Sequence, residues 1–325
     1  MKKIILTVIL TAVLVTCTIV TGIGYLFGNY FVHFGLECGT KDNPKEPPRA
    51  YALLMPPEAR EFAKPDYPSE PWDLTSTDGL HLAATHFSPK EGRMQEPERW
   101  AIVVHGYGCT QQNSYYIAEH YLHMGYHVLT PDLRAAGDSE GRYLTLGVRE
   151  SEDIVLWARK IARERPHAKI LMHGVSMGAA TVMLAAGRDD LPRELVACVE
   201  DCGYTSAYDL LALQVEESFG LPAFPAMNLL DWRCVRLAKF RIKDAAPIEA
   251  VRHAHVPILF IHGEKDTLVP NYMMDLLYDA ANAPQKATLL IPGANHAASS
   301  QVGKKLYFKT IRDFVRPYMD KDERK

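Results

Sequence analysis

Gly174-Val175-Ser176-Met177-Gly178 follows a short apolar run, Ile170–Met172, and opens onto the small residues Ala179-Ala180-Thr181. A serine between two glycines, placed between a strand and a helix, sits on a turn sharp enough to push its hydroxyl out of the backbone. The helix that starts there offers unpaired N–H groups and a favourable field to a developing oxyanion. These features suit a nucleophile. The same five residues could also be a tight turn that packs a helix against a strand, so the neighbouring segments must decide.

Three further segments carry reactive side chains. His105-Gly106-Tyr107-Gly108 follows the apolar run Ala101–Val104. Its glycines allow a backbone to approach a ligand closely, and the Tyr107 N–H pairs naturally with the Met177 N–H as oxyanion donors. His105 fits a core histidine that shapes this loop better than it fits a catalytic role. His262-Gly263-Glu264-Lys265-Asp266 follows Ile258–Ile261. Asp266 suits either the orientation of an imidazole or a turn cap. Gly293-Ala294-Asn295-His296 follows the apolar end of Thr288–Ile291. The chain has 13 histidines, and His296 is distinguished by lying after a strand and after the aspartate, giving the order Ser, Asp, His. Glu200-Asp201 also follows a strand and offers Asp201 as a rival acid.

The elements that must hold these residues alternate. Trp72–Thr75 and Leu80–Phe87 flank Thr77-Asp78-Gly79 as a hairpin. Strands are then expected at 101–104, 127–129, 170–172, 195–199, 258–261 and 288–291. Helices are expected at 112–124, 148–164, 177–187, 272–282 and 304–317. Continuous apolar strands separated by helices indicate a mostly parallel sheet with helices on both faces. Ligands of such sheets lie beyond the carboxyl ends of the strands, where all four segments fall.

Together the four segments, in this order, resemble the alpha/beta-hydrolase superfamily. More narrowly, they are similar to its serine hydrolase branch with monoacylglycerol-lipase-like and peptidase-like members, often membrane-anchored in bacteria. Pro131-Asp132-Leu133-Arg134-Ala135-Ala136-Gly137-Asp138-Ser139-Glu140-Gly141 matches the family's loop, with Ala135-Ala136 where a Gly-His usually stands. The resemblance spans about residues 72–318. It implies the alpha/beta-hydrolase fold, Ser176 as nucleophile, Asp266 as acid, His296 as base, and Tyr107 and Met177 as oxyanion donors. Asp201 occupies the position some members use for the acid, but the surrounding Gly-x-x-Asp-x-x-Val-Pro favours Asp266. A serine nucleophile disfavours the family's dehalogenase and epoxide hydrolase chemistries, which use aspartate there.

Between Asp201 and Val256 lie 54 residues, more than the about 15–20 that one crossover helix needs. A small helical insertion after the sixth strand, about 204–250, is therefore expected. Phe219, Leu221, Phe224, Met227, Leu229, Leu230 and Trp232 give it an apolar side. It is either a lid that contributes an acyl pocket or ordinary packing.

The N-terminus belongs to a different regime. Met1-Lys2-Lys3 precedes Ile4–Leu36, which contains no Lys, Arg, Asp or Glu, and the most apolar part, Ile4–Phe27, is 24 residues. About 20 apolar residues cross a bilayer as a helix, whereas a cleaved signal has a shorter core of about 7–15. Residues 1–36 are thus expected to be an uncleaved single-pass signal anchor outside the globular fold. The alternatives are lipidation at Cys17 and cleavage after Gly24. Lys2 and Lys3 favour a cytoplasmic N-terminus and an extracytoplasmic domain, a bias weakened by Lys41, Lys45 and Arg49. Eight prolines between Pro44 and Pro71 disfavour a long helix or central strand. Residues 37–71 are expected to be a tether, or a strap on the surface of a hydrolase domain at 72–325.

Composition excludes other classes. Lys plus Arg is 36 and Asp plus Glu is 39, a formal net charge of −3, so nothing favours nucleic acid as a partner. The six cysteines, Cys17, Cys38, Cys109, Cys198, Cys202 and Cys234, form no C-x-x-C pair, and structural thiols are the expected reading. No H-E-x-x-H occurs, and no cofactor or metal is expected. Three functions remain open: hydrolysis of small carboxylic esters, a serine peptidase or amidase with the same residues, and a non-enzymatic surface protein.

Overall fold

The computed structural model describes residues 2–39, 46–51, 61–93, 97–220 and 222–320. Pro44, Pro56, Pro57, Lys41, Lys45 and Leu221 lie outside them, as do the side chains of Ile23 and Phe219.

The strands are β1 (Ser69–Thr75), β2 (His81–Phe87), β3 (Arg99–Val104), β4 (His127–Pro131), β5 (Lys169–Val175), β6 (Leu195–Asp201), β7 (Ile258–Gly263) and β8 (Lys286–Ile291). They form one sheet in the order β1-β2-β4-β3-β5-β6-β7-β8. β1, β2 and β4 pair antiparallel, and every pair from β4 through β3 to β8 is parallel. The parallel strands other than the edge strand β8 are buried along nearly their whole length, because helices cover both faces. Their unbroken apolar runs follow from that cover. The alpha/beta-hydrolase fold expected from the sequence is the fold observed.

Among the described residues, eight helices have two or more turns: α1 (Lys2–Gly35), α2 (Gln111–His123), α3 (Val148–Glu164), α4 (Met177–Ala186), α5 (Ala207–Phe219), α6 (Ala223–Leu237), α7 (Tyr272–Ala280) and α8 (Lys304–Met319). One core packs α3, α4, α6 and α7 against one face, around Trp100, Trp157, Met183 and Phe260. The other packs α2 and α8 against the opposite face, around Tyr121, Leu122, Tyr307 and Ile311.

Two features set the site. The chain passes from β3 outward to β4, then crosses back over β3 to β5. That reversal leaves a crevice beyond the ends of β3 and β5. The register then aligns Val104 with Gly174, Val175 with Asp201, Asp201 with Ile261, and Gly263 with Ile291. The loops after β3, β5, β6, β7 and β8 consequently emerge along one edge.

The N-terminal segment differs from the expectation that it stands wholly outside the fold. Residues 3–22 of α1 are exposed, but Gly24, Gly28, Val32, Leu36 and Cys38 are buried, the last three within the first core. The Cys38 N–H donates to the Arg142 carbonyl at 2.8 Å and the Leu144 N–H to that of Leu36 at 2.9 Å. The apolar stretch is longer than a bilayer needs, and its surplus turns pack on the domain. Beyond it, Tyr51, Phe62 and Tyr67 lie along the domain: Phe62 stacks on Tyr116 at 5.2 Å and Tyr67 meets His123 edge-on at 5.8 Å. The described part of 37–71 has the form of a strap, and its strand begins at Ser69, three residues earlier than expected.

Candidate active site

The turn between β5 and α4 is built by what glycine lacks. A Cβ on Gly174 would lie 2.1 Å from the Gly178 carbonyl oxygen, and one on Gly178 would lie 2.3 Å from that of Val104. Only glycine allows the strand, the helix and the neighbouring β3 to approach this closely. Ser176 between them has φ 58° and ψ −119°, a conformation that costs a non-glycine residue about 1–3 kcal/mol. The surrounding sheet maintains it: the Ser176 N–H donates to the Asp201 carbonyl at 2.8 Å.

The loops after β7 and β8 are locked to one another. The Glu264 N–H donates to the Ile291 carbonyl at 3.0 Å and the Lys265 N–H to that of Ala294 at 2.8 Å. A Cβ on Gly263 would stand 2.5 Å from the Ala294 oxygen, so glycine is needed for this approach too. Asp266 and His296 are thereby brought together. His296 Nδ1 lies 2.7 Å from Asp266 Oδ2, and His296 Nε2 lies 2.8 Å from Ser176 Oγ. Ser176, His296 and Asp266 are hydrogen-bonded in series across 120 and 30 residues of chain.

Proton positions follow from charge. Burial would raise the Asp266 pKa, but hydrogen bonds from His262 and His296 outweigh it and hold the carboxyl well below the usual carboxylate range. The ionised Asp266 therefore accepts from His296 Nδ1–H. Nε2 is left as the acceptor for the Ser176 hydroxyl. Asp266 Oδ1 accepts from the N–H groups of Leu268 at 3.0 Å and Val269 at 2.9 Å, which fixes the carboxylate plane.

His262 is a residue whose role the sequence did not reveal. It is fully buried, with Nε2 2.9 Å from the Val269 carbonyl and 3.2 Å from Asp266 Oδ2. It supports the carboxylate from behind. Its place in the motif starting His262-Gly263 was visible, but its direction was not.

Asp201 has other partners. The Tyr307 hydroxyl donates to Asp201 Oδ2 at 2.9 Å, and the same oxygen of Tyr307 lies 2.9 Å from His173 Nε2. A tyrosine has one proton to give, so His173 carries its own on Nε2 and accepts at Nδ1 from Tyr121, 2.9 Å away. Burial lifts the Asp201 pKa to about 6 and lowers that of His173 to about 3. This buried polar chain pins α8 and α2 to the sheet.

His105 is buried, with Nε2 accepting from the Leu133 N–H at 3.0 Å and Nδ1 2.9 Å from the Gly106 carbonyl. It fixes the loop that carries Tyr107. The Met177 N–H is at the first position of α4, where no intrahelical acceptor exists. The Tyr107 side chain points away from this edge, and its hydroxyl donates to the Gly35 carbonyl at the end of α1, 2.6 Å away.

Beside Ser176 lies a cavity of about 60 Å³, walled by Phe62, Tyr116, Ile117 and Val175, with Tyr107, His296 and Gln301 at its edge. A water needs about 10–15 Å³ on this measure, so the space suits a few heavy atoms. No described residue of 204–250 lines it. Of the inserted helices, α6 packs on α1, α5 packs on α6, and both contribute to the first core. Phe62, from the strap, is a wall residue that sequence reasoning could not assign, because nothing in the chain near it refers to Ser176.

Cys202 brings its sulfur within 4.8 Å of ligand atoms of Asp266 and His296. The arrangement suits a metal poorly. Burial pushes the Cys202 thiol well above its ordinary pKa, and both Asp266 oxygens and both His296 nitrogens already have partners.

Residues 101–302 match the model of the alpha/beta hydrolase family. Among curated proteins, the uncharacterized protein YqkD of Bacillus subtilis is 26% identical over 253 residues, covering 77% of this chain and 80% of that one. Lysophosphatidylserine lipase ABHD12 of Danio rerio is 30% identical over 169 residues, 49% of this chain and 40% of that one. Among solved structures, the Pyrococcus furiosus esterase Pf2001 superposes with a TM-score of 0.62 at 20% identity, covering 80% of this chain and 99% of that one. XC6422 of Xanthomonas campestris, a serine hydrolase without a lid, gives 0.54 at 17% identity over 81% and 100%. At these identities the structural likeness is one of fold.

Proposed function

Because this chain belongs to the alpha/beta hydrolase family, with the family model covering residues 101–302, we propose that it is a serine hydrolase cleaving carboxylic esters of short to medium acyl chains through an acyl-serine intermediate. The observation that carries this reading is the hydrogen-bonded series Ser176–His296–Asp266 beside a small apolar cavity. His296 Nε2 takes the Ser176 proton as Oγ attacks the ester carbonyl. The tetrahedral oxyanion is met by the N–H groups of Met177 and Tyr107. His296 then protonates the leaving alcohol and, in the second half, activates the water that frees the acid. Asp266, charged throughout, stabilises the imidazolium. The residues at this site suffice for this chemistry without a cofactor.

Cavity size supports the acyl preference. Each methylene buried is worth about 0.8 kcal/mol, or about fourfold in kcat/KM, while pocket remains. With about 60 Å³ available, the gain should stop after a few carbons. A p-nitrophenyl acyl series run beside aminoacyl and dipeptidyl amides tests this. The expected result is a rise through short chains followed by a plateau or fall. A rise continuing from dodecanoyl to palmitoyl esters would indicate a long-chain pocket, and faster cleavage of an amide than of any ester would identify a peptidase. The sequence offered Glu200, Glu216 and Glu217 as an amine site for peptides. None lines the cavity, and Glu200 is fully buried, accepting from the Gly203 N–H at 2.9 Å.

The chain carries one N-terminal helix long and apolar enough to cross a membrane, Lys3–Gly35. We assign it as a single-pass anchor of the cell membrane with the hydrolase domain outside the cytoplasm. The continuous exposure of residues 3–22 supports the anchor, and the lysines at the N-terminal end support this orientation. Protease added to intact cells is expected to degrade the domain. Digestion only after lysis would reverse the orientation, and recovery in the soluble fraction would remove the anchor.

A further inference from the structure

Helix α1 continues past the length a bilayer requires and meets α6 there. A Cβ on Gly24 would lie 2.3 Å from Leu229 Cδ1, and one on Gly28 would lie 2.6 Å from Arg233 Cγ and 3.0 Å from the Leu229 carbonyl oxygen. Two glycines one turn apart thus let α6 lie directly on α1, as small residues do between membrane helices. Arg233 Nη2 donates to Asn29 Oδ1 at 2.7 Å, and the rings of Tyr25 and Trp232 are 6.4 Å apart.

These contacts fix the direction and level of α6. Residue numbers rise together along both helices, so they run parallel, with the same offset at both glycines. Extended one turn further back, that offset sets Pro225 level with Val20, within the exposed stretch of α1, and Phe224 precedes it at a kink with φ −98° and ψ 130°. Phe224 is 75% exposed, and Pro222 and Pro225 beside it are exposed as well. No charged residue occurs from Gly220 to Leu230. Two turns further on, Trp232 is partly exposed beneath cations: Arg236 is 5.4 Å from its ring, and Arg233 is 5.3 Å from it and 4.4 Å from that of Tyr25. Asp231 faces inward and accepts from the Ile242 N–H at 2.7 Å. The outer side of α6 therefore grades from apolar at its start to aromatic and basic higher up. That is the sequence of environments from the hydrocarbon edge to the headgroups.

We propose that the start of α6, at Phe224 and Pro225, enters the edge of the lipid bilayer beside α1, while Trp232 and Arg236 sit among the headgroups. The domain then has a second membrane contact, formed by the insertion after β6. This rests on the assignment of α1 as a membrane anchor. Glu216 and Glu217, exposed near the end of α5, limit the depth to the hairpin tip. One consequence concerns substrate. Tyr107 is bonded to Gly35, about 20 Å along α1 from Gly22 at 1.5 Å per residue. The site stands off from the hydrocarbon, so its ester must leave the bilayer to reach Ser176.

The full-length protein tests this in phosphatidylcholine vesicles containing a spin-labelled phosphatidylcholine quencher. Five of the six cysteines are buried and Cys17 is exposed, so three single-site environment-sensitive dyes are available. One is on native Cys17, one on Phe224→Cys in a Cys17→Ser background, and one on exposed Asp275→Cys in the same background. Each preparation is first checked for ester turnover, which the loss of an exposed Phe224 should leave intact. The expected result is blue-shifted, strongly quenched emission at 17 and 224 and neither effect at 275. Quenching at 17 with a solvent-like signal at 224 overturns the proposal and leaves the anchor standing. A solvent-like signal at 17 overturns the anchor and the proposal together.

Discussion

Ser176→Ala is expected to reduce hydrolysis of a p-nitrophenyl ester to background while the protein stays folded. Removal of the nucleophile in a serine hydrolase lowers kcat by about 10⁶-fold, because the remaining donors cannot replace the covalent route. The side-chain bond lost is the one from Oγ to His296, 2.8 Å long. Alanine keeps the Cβ and the same backbone position, and the N–H bond to Asp201 is untouched. Thermal unfolding should therefore be close to that of the wild type. A fluorophosphonate probe, which forms a bond to the activated hydroxyl, is expected to label the wild type at Ser176 and to leave Ser176→Ala unlabelled. Wild-type turnover in the variant would overturn the mechanism, and labelling at another serine would relocate the nucleophile.

Asp266→Asn is expected to lower kcat by about 10⁴-fold, with much less change in KM. Asp266 Oδ2 is 2.7 Å from His296 Nδ1. An amide nitrogen placed there can only donate, so His296 must accept at Nδ1 and carry its proton on Nε2. That tautomer cannot take the Ser176 proton. The variant also loses the charge that stabilises the imidazolium. Asp201→Asn is the control. Its oxygen accepts from Tyr307 at 2.9 Å, and an asparagine carbonyl can do the same, so kcat should fall far less. The two variants compared at one pH, with stability measured alongside, decide the acid. A larger loss of kcat in Asp201→Asn than in Asp266→Asn would reverse the assignment.

Much of this arrangement was legible in the chain because it is local. Gly174 and Gly178 flank Ser176 for reasons of space that hold within five residues, and the strand before and the helix after are set by their own apolar spacing. The alternation of elements fixed a parallel sheet, and chain order separated His296 from the other histidines. The helix spanning Val148–Glu164 was bounded to the residue, since its apolar side repeats with helical period.

What the chain alone could not settle was decided by distance between segments far apart in it. Asp266 and Asp201 each follow a strand, and they differ only in which ring each carboxylate reaches: His296 for the first, the Tyr307 hydroxyl for the second. His262 supports Asp266 only because the turn at 263–266 folds back over it. The insertion after β6 had apolar residues enough for a lid, yet α6 packs against α1, and the cavity wall takes Phe62 of the strap rather than any described residue of the insertion. The apolar stretch at the N-terminus announced a helix long and apolar enough to cross a membrane, by length and composition, properties a sequence contains entirely. That its last turns are buried on the domain, with Gly35 bonded to Tyr107, depends on a surface assembled from α6 and the loops after β3 and β4, and no local pattern encodes a surface built from distant segments.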